Sequence, residues 1–302
     1  MMEPPFEKFS TTCGNSSIDF TELPLVDKSF TANFTEVVPC GLQLPMDVSN
    51  VVTMKFLLGE SKLWIDPLQT ALKLKFQGLN EDGTVLMEDK EIAIICGLLH
   101  MAFGKMQIWS AGRLIKTYHS YAYLAHPMMM LHYDRGYTDS VTGYSLAFSI
   151  DTDWANDISF VLNRGLDVRC GLTQRSKIIS LMARPFIPPF ETMKLIPSEG
   201  RWEFHCTMNP NDFCMLSGET VPIPGPKGEK PKQKLVPFKL RLLEAEMHIT
   251  HVKLSDEVRG NLQYILRAAR QITYPVIDDQ LDNFALVEGQ KEQEIPNTPL
   301  PV

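Results

Sequence analysis

The chain has 302 residues, 44% of them hydrophobic and 22% charged, which is enough to bury a sizeable core without cross-links. Its formal net charge of −7 argues against a general phosphate-binding surface, because non-specific nucleic-acid affinity requires clustered Lys and Arg. We therefore expect protein partners and no direct sequence-specific contact with nucleic acid. The sequence shows no secretory leader and no apolar run of about 18–20 residues, so we expect an intracellular protein that is not secreted and has no membrane partner.

The 21 prolines divide the chain into short elements, which favours strands over long helices. Residues 1–17 are predicted to form a flexible N-terminal arm, since Pro4 and Pro5 precede a polar run. Strand-like runs then recur, and we predict strands at 29–38, 51–57, 71–77, 105–109, 114–116, 145–150, 177–182, 193–196, 202–208 and 238–254.

The segment 57–77 carries the clearest early strand signal. After the Asp66-Pro67 turn, Leu72, Leu74 and Phe76 alternate with polar residues, as in a strand with one buried face. We interpret Gly59, Glu60 and Asp66 as residues that set the turn and the strand register. They are not predicted to be a carboxylate pair for a substrate.

A hairpin is predicted around Ser110-Ala111-Gly112-Arg113, which supplies turn residues between two alternating runs. The apolar run at 92–103 precedes it, and its periodicity fits either a buried strand or a short helix. Two short helical turns are expected at 118–133, on either side of Pro127. The segment 184–190 is too rich in proline for a central strand, so we expect an extended crossing there, and 222–234 is predicted to be a surface loop.

The run 238–254 is the longest strand signal, and its apolar phase shifts near Leu242-Leu243, which predicts a bulge or bend. Ser255 can cap a following helix whose first turn holds Asp256 and Glu257, and Pro275 ends it. The pattern of many short strands with a few short helices predicts an all-β fold, an antiparallel jelly-roll β-sandwich.

Histidine and cysteine spacing gives no metal or redox motif. His119, His126 and His132 lack the HxH or HExxH pattern, and His248 and His251, three apart on one strand, should point to opposite faces. We expect the six cysteines to be free, buried or half-buried thiols, because they form no CxxC pair. They are Cys13, Cys40, Cys96, Cys170, Cys206 and Cys214.

Five blocks occur in a fixed order along 18–275. They are Ile18-Asp19-Phe20 with Leu23-Pro24, then 51–69, the hairpin region 100–113, the crossing and strand at 181–216, and 238–275. This order resembles the double jelly-roll major capsid protein family of Polinton or Maverick elements and adintovirus-like viruses. The family has an Asn-Gly hairpin turn where this chain has Ser110-Ala111-Gly112.

The resemblance implies a structural capsid subunit, encoded by an integrated virus-like transposable element. Such a subunit self-associates as a homotrimer into capsomers of an icosahedral shell, contacts other capsid proteins and resides in the virion; a copy without capsid function would stay in the host cytoplasm or nucleus. No enzyme activity, no cofactor, and no catalytic, cofactor-binding or metal-binding residue is implied.

The resemblance also divides the chain. It implies an arm at 1–17, a viral-type jelly roll at 18–254, a connector helix at 255–275 and a tail at 276–302 that holds the start of a second roll. Since the family continues into a whole second roll, we expect a fragment, a truncated genomic copy or a one-roll derivative.

Two other classes of protein remain as alternatives. A host jelly-roll binding module of the lectin type would need aromatic and acidic side chains at one end of the sandwich, whereas Trp64, Trp109, Trp154 and Trp202 are scattered. An enzyme of the cupin type would need a His-x-His pair with a downstream Glu and a later His, and the sequence contains no such set. Glycan binding and a stoichiometric metal would distinguish these alternatives from a capsid subunit.

Overall fold

The computed structural model describes residues 30–49, 52–58, 63–88, 91–133, 136, 140–151, 163–187, 190–191, 194–197, 200–217, 220–223, 232–235 and 238–267. Its strands are β1 (Phe30–Pro39), β2 (Met46–Asp47), β3 (Thr53–Leu58), β4 (Trp64–Asn80), β5 (Ile92–Ile94), β6 (Phe103–Ser110), β7 (Arg113–His119), β8 (Ile178–Ala183), β9 (Ile196–Pro197), β10 (Trp202–Met208), β11 (Met215–Ser217), β12 (Thr220–Ile223), β13 (Lys232–Leu235) and β14 (Phe238–Leu254). Its α-helices are α1 (Leu98–Met101), α2 (Tyr121–His132), α3 (Val141–Leu146), α4 (Arg164–Thr173), α5 (Asn211–Cys214) and α6 (Asp256–Arg267).

The eight main strands form a jelly roll. One sheet runs β1-β14-β4-β8 and the other β3-β10-β6-β7, while the short strands β2 and β9 pair with β14 and β4. The β6–β7 hairpin is the innermost pair, and β4 with β8, β3 with β10, and β1 with β14 lie at successively greater separation along the chain. This nested pairing, divided between two packed sheets of four main strands each, is the strand arrangement of a jelly roll. It confirms the predicted antiparallel jelly-roll fold.

The core lies between the two sheets, because alternate side chains of each long strand point inward. One continuous cluster of buried side chains includes residues from both sheets. The first sheet contributes Leu72, Leu74, Phe76, Leu181, Leu240 and Met247, and the second contributes Met54, Phe56, Met106, Phe204 and Cys206.

Strand β4 is longer than predicted and runs through the expected Asp66-Pro67 turn. The Asp66 carboxylate accepts hydrogen bonds from the backbone N–H groups of Leu68 (3.0 Å) and Gln69 (3.4 Å). The hydroxyl of Thr70 donates to the Asp66 carbonyl at 2.8 Å. Asp66 thus closes a local turn within a continuing strand, in agreement with its predicted role in the turn. Gly59 and Glu60 lie outside the described residues.

The β6–β7 hairpin has a two-residue turn in which Ala111 (φ 49°) and Gly112 (φ 74°) are both left-handed. Left-handed conformations at both turn residues best match the twist of the two strands that they join.

The run at 92–103, for which the sequence allowed either a buried strand or a short helix, contains one of each. Its first residues form β5, and Leu98–Met101 form helix α1 before β6 begins.

Several predictions of local structure were wrong. Residues 121–132 form one helix that contains Pro127, not two separate turns. The strand expected at 145–150 is absent from the described residues, because α3 occupies its start and Ala147, at φ 54°, interrupts an extended run. Within the described residues, the strand expected at 193–196 is limited to β9. The loop predicted at 222–234 has β12 at its start and β13 at its end, which pair with each other, while 224–231 lie outside the described residues.

The apolar phase shift predicted in β14 is present. Leu240 and Leu242 are buried on one parity, and Ala245, Met247 and Ile249 are buried on the other. The parity of burial therefore changes between Leu242 and Ala245, while the strand continues without a break for 17 residues.

Helix α4 was not predicted, because its sequence has no apolar stripe at helical spacing. Asn163 caps it by accepting a hydrogen bond from the Leu166 N–H at 3.2 Å. At Gly165 a Cβ atom would collide with the Ile150 carbonyl oxygen, so glycine is required for this close approach. Arg169, whose side chain is 1% exposed, ties the helix to other segments by donating hydrogen bonds to the carbonyls of Ile94 and Ser149.

The described residues divide into two compact units. The larger unit covers 34–251. In the smaller unit, which contains 30–33 and 252–267, the Thr31 hydroxyl donates to the Lys253 carbonyl at 3.1 Å.

Helix α6 begins as predicted, with Ser255 Oγ 3.5 Å from the Val258 N–H and with Asp256 and Glu257 in the first turn.

Candidate assembly surface

A network of charged side chains lies on the outward face of β4 and β14. Lys73 Nζ lies 2.5 Å from Glu244 Oε1 and 2.9 Å from Glu246 Oε2, and Lys75 Nζ lies 2.6 Å from Glu244 Oε2. These side chains are half-buried, since they alternate with the inward-facing residues of the same strands. The network joins two neighbouring strands of the sheet and leaves its outer surface polar.

Hydrogen bonds from Lys73 and Lys75 lower the pKa of Glu244 to about 2, from an ordinary value of 4.5. A carboxylate with a depressed folded-state pKa stabilises the fold above its unfolded pKa, and this contribution is lost as the pH falls through the folded value. We therefore expect Glu244→Gln to lower the free energy of unfolding by about 1 kcal/mol at pH 7, and the difference from wild type to disappear between pH 4.5 and pH 2.

Urea titrations of both proteins at several pH values test this expectation. The matched control is Glu88→Gln, because Glu88 pairs with Arg175 on an exposed part of the surface and should matter less. A stability difference for Glu244→Gln that persisted unchanged at pH 2 would contradict the assignment.

Three histidines each pair with one carboxylate. His205 Nε2 lies 3.0 Å from Glu203, His248 Nε2 lies 3.3 Å from Glu246, and His251 Nε2 lies 2.6 Å from Glu36. In each of the first two pairs the histidine and the carboxylate are two residues apart on one strand, which places them on the same face, and this spacing is visible in the sequence. The Glu36–His251 pair joins β1 to β14 across 215 positions and had no local signal.

His100 is fully buried in α1 and forms a small polar network with two other elements. Its Nδ1 lies 3.0 Å from the Tyr121 hydroxyl, and that hydroxyl accepts a hydrogen bond from the Phe186 N–H at 3.1 Å. The tautomer of the neutral imidazole sets which of the two groups, Nδ1 or the Tyr121 hydroxyl, donates the hydrogen bond between them. Burial lowers the pKa of His100 to about 3.

The described cysteines are free and buried, as predicted: Cys40, Cys96, Cys170, Cys206 and Cys214. Burial raises the pKa of Cys96 to about 11 and that of Cys214 to about 12, so these thiols stay protonated near neutral pH. A protonated, buried thiol is a poor nucleophile and a poor metal ligand. Cys13 lies outside the described residues.

The residues considered for metal or ligand binding are not brought together. Within the described ranges no three His, Cys, Asp or Glu side chains form a metal-binding group. Trp109 faces Glu203 across the β6–β10 pair, whereas Trp202 has the opposite parity on β10, so the two rings lie on opposite faces of that sheet. Trp64 lies on β4 and Trp154 lies outside the described residues.

Apolar side chains are exposed on two outermost strands of the described sheets. Phe34 and Val37 are about half exposed on β1, and Leu114 and Ile115 are similarly exposed on β7. Unpaired strand edges with apolar side chains favour association with other chains. No described helix is both long and apolar enough to cross a bilayer. The two outermost strands thus present apolar surface that is available for contact with other chains.

The roll is similar to solved structures from viruses. A chain in the cryo-EM structure of the Sputnik virophage matches with 13% sequence identity and a TM-score of 0.50, covering 79% of this chain and 51% of that one. The Faustovirus major capsid protein matches with 8% identity and a TM-score of 0.43, over 82% and 59% of the two chains. The mavirus major capsid protein matches with 9% identity and a TM-score of 0.41, over 84% and 52%.

The chain therefore spans between 51% and 59% of the length of these three structures. No protein-family model and no curated protein matches its sequence. At 13% identity, the match to the virophage chain shows a shared fold, which is the jelly-roll β-sandwich described above.

Proposed function

We propose that this chain is a structural, capsid-like subunit that self-associates into the shell of a virus-like particle. The observation that carries the proposal is the match of its roll, over 79% of the chain, to a chain of the Sputnik virophage structure. The exposed apolar side chains on β1 and β7 support it, since a shell subunit must keep surface available for its neighbours. On this proposal the protein resides in the virion, contacts other capsid proteins and is not an enzyme.

The organisation of the subunit forms a finer part of the proposal. The chain comprises an arm at 1–17, one jelly roll at 18–254, a connector helix at 255–275 and the start of a second roll at 276–302. The homotrimer is its assembly unit, and a Polinton-type or Maverick-type element is its origin. The serial order of the five sequence blocks supports this organisation, as does the 51% coverage of the virophage chain.

Self-association tests the proposal directly. Purified protein is expected to form concentration-dependent oligomers, with a unit at three times the chain mass of 34.2 kDa, and to bind a hydrophobic dye before it assembles. Sedimentation velocity gives the masses, and negative-stain electron microscopy at high concentration shows whether shells form. A monodisperse, stable monomer that binds no dye at any concentration would contradict a capsid role.

A further inference from the structure

Helix α2 has an apolar face that is largely exposed among the described residues; one of its side chains, Tyr123, also contacts the Phe213 ring at 5.8 Å between centroids. Tyr123, Pro127, Met130 and Leu131 have the spacing i, i+4, i+7 and i+8, which places them on one side of the helix. Tyr123 is 59% exposed and Leu131 is 81% exposed. We call these four residues the α2 outer face. The opposite side of the helix packs into the core through Tyr121, Ala122, Ala125 and Met129.

The composition of α2 is unusual for a helix that faces water. Its 12 residues include no Asp, Glu, Lys or Arg, so neither side carries a fixed charge. Apart from His126 and His132, its side chains are aliphatic, aromatic or thioether groups, and a helix of such composition is normally buried against other protein. Met130 adds a flexible, polarizable side chain, which adapts well to a second surface. The α2 outer face is thus suited to a protein contact.

The charge distribution indicates what covers this face. Residues 92–133, which include β5, α1, β6, β7 and α2, contain three basic residues and none of the 36 acidic residues of the chain. The rest of the chain holds 26 basic residues together with all 36 acidic ones. Two copies that met through their acidic parts would repel each other, whereas the acid-free part of one copy can approach the acidic part of the next.

We propose that the α2 outer face binds a second copy of this chain, at a surface of that copy outside residues 92–133. The contact is heterologous, so repeated contacts either close into a ring or extend as an open array. The inference rests on the proposed capsid function and deepens it, because it assigns one face to the contact between subunits.

Substitutions of Leu131 test the contact by sedimentation velocity on the full chain. Leu131→Glu is expected to raise the concentration needed for association at least tenfold, because it places a carboxylate against an acidic surface. Leu131→Lys should weaken association less than Leu131→Glu does. The matched control is Leu57→Glu, which introduces the same charge at a 64% exposed position on β3. Leu57 lies outside 92–133, in the part of the chain that is already acidic, so this change should weaken association less than Leu131→Glu does.

Since the Leu131 side chain is exposed, both variants should keep the wild-type melting temperature. Unchanged association of Leu131→Glu would overturn the inference, as would equal loss in the Glu and Lys variants. If the wild-type chain did not associate at all, both this inference and the capsid proposal would fail. Association of the wild type together with undiminished association of Leu131→Glu would remove only the α2 contact and leave the capsid proposal standing.

Photo-crosslinking identifies the occupant independently. A benzophenone amino acid in place of Leu131, in an equal mixture of 14N-labelled and 15N-labelled chains, is expected to give mixed-isotope crosslinks to peptides outside 92–133. Crosslinks confined to the same chain would overturn the inference. Mixed-isotope crosslinks within 92–133 would also overturn it, since the α2 outer face would then contact the same region of the second copy instead of a different surface.

Discussion

Replacing Arg169 with methionine is expected to lower the free energy of unfolding by about 3–5 kcal/mol. The guanidinium is buried on α4 and serves three acceptors from other parts of the chain. Its Nε donates to the Ile94 carbonyl at 2.9 Å, its Nη1 donates to the Ser149 carbonyl, and its Nη2 lies 2.7 Å from Asp151 Oδ1. Methionine fills similar space but donates no hydrogen bond, so these acceptors lose their partner.

Most of this cost should come from the two carbonyl groups, because Asp151 is 47% exposed and can be solvated by water. Arg169→Lys should recover only part of the stability, since an ammonium group cannot reach all three acceptors in the planar geometry of a guanidinium. The matched control is Arg175→Met, which breaks an exposed ion pair with Glu88 and should cost less than about 1 kcal/mol. Chemical denaturation of the three variants measures these differences, and equal losses for Arg169→Met and Arg175→Met would contradict the assigned role.

Acidification from pH 7 to pH 5 is expected to cost about 2 kcal/mol of stability through His100 alone. Burial lowers the pKa of His100 from 6.5 to about 3, so the folded imidazole stays neutral in this range while the unfolded one becomes protonated. The unfolded state then binds more protons than the folded state does. Stability therefore falls as the pH drops below 6.5, and the loss continues until the folded value is reached.

The variant His100→Asn isolates this contribution. Its side-chain amide can donate to or accept from the Tyr121 hydroxyl but does not titrate, so the loss of stability between pH 7 and pH 5 should shrink by about 2 kcal/mol relative to wild type. Tyr121→Phe is the control, because it removes the hydrogen bond to the Phe186 N–H and lowers stability yet keeps the buried imidazole and its pH dependence. Equal pH dependence in wild type and His100→Asn would show that His100 is not the titrating group.

Long runs with a two-residue alternation were predicted closest to their final positions. The prediction at 202–208 coincides with β10 and that at 238–254 with β14, because much of each strand has one side packed against the core, even though the parity of burial shifts within β14. The hairpin at Ala111-Gly112 was also predictable, since its turn chemistry is local. Strand parity and turn chemistry both depend on neighbouring residues, which the sequence contains.

Helices inserted between strands were predicted poorly. Helix α4 has no apolar stripe, and the burial of Arg169 among acceptors 18, 20 and 75 positions away could not be inferred from its neighbours. The prediction of a strand at 145–150 failed because the residues before and at Ala147 adopt helical and left-handed conformations that apolar alternation does not encode.

The ion pairs of the candidate surface likewise differ in whether the sequence could have predicted them. The pairs Glu203–His205 and Glu246–His248 follow from spacing on a strand, whereas Lys73–Glu244 and Glu36–His251 join positions 171 and 215 apart. The sequence by itself determined the strand periodicity, the hairpin turn and the acid-free composition of 92–133, because these are properties of neighbouring residues. Only the tertiary structure decided which side of α2 is exposed, which carboxylate meets which base and which carbonyls Arg169 serves, because these depend on how the roll brings distant strands and helices together.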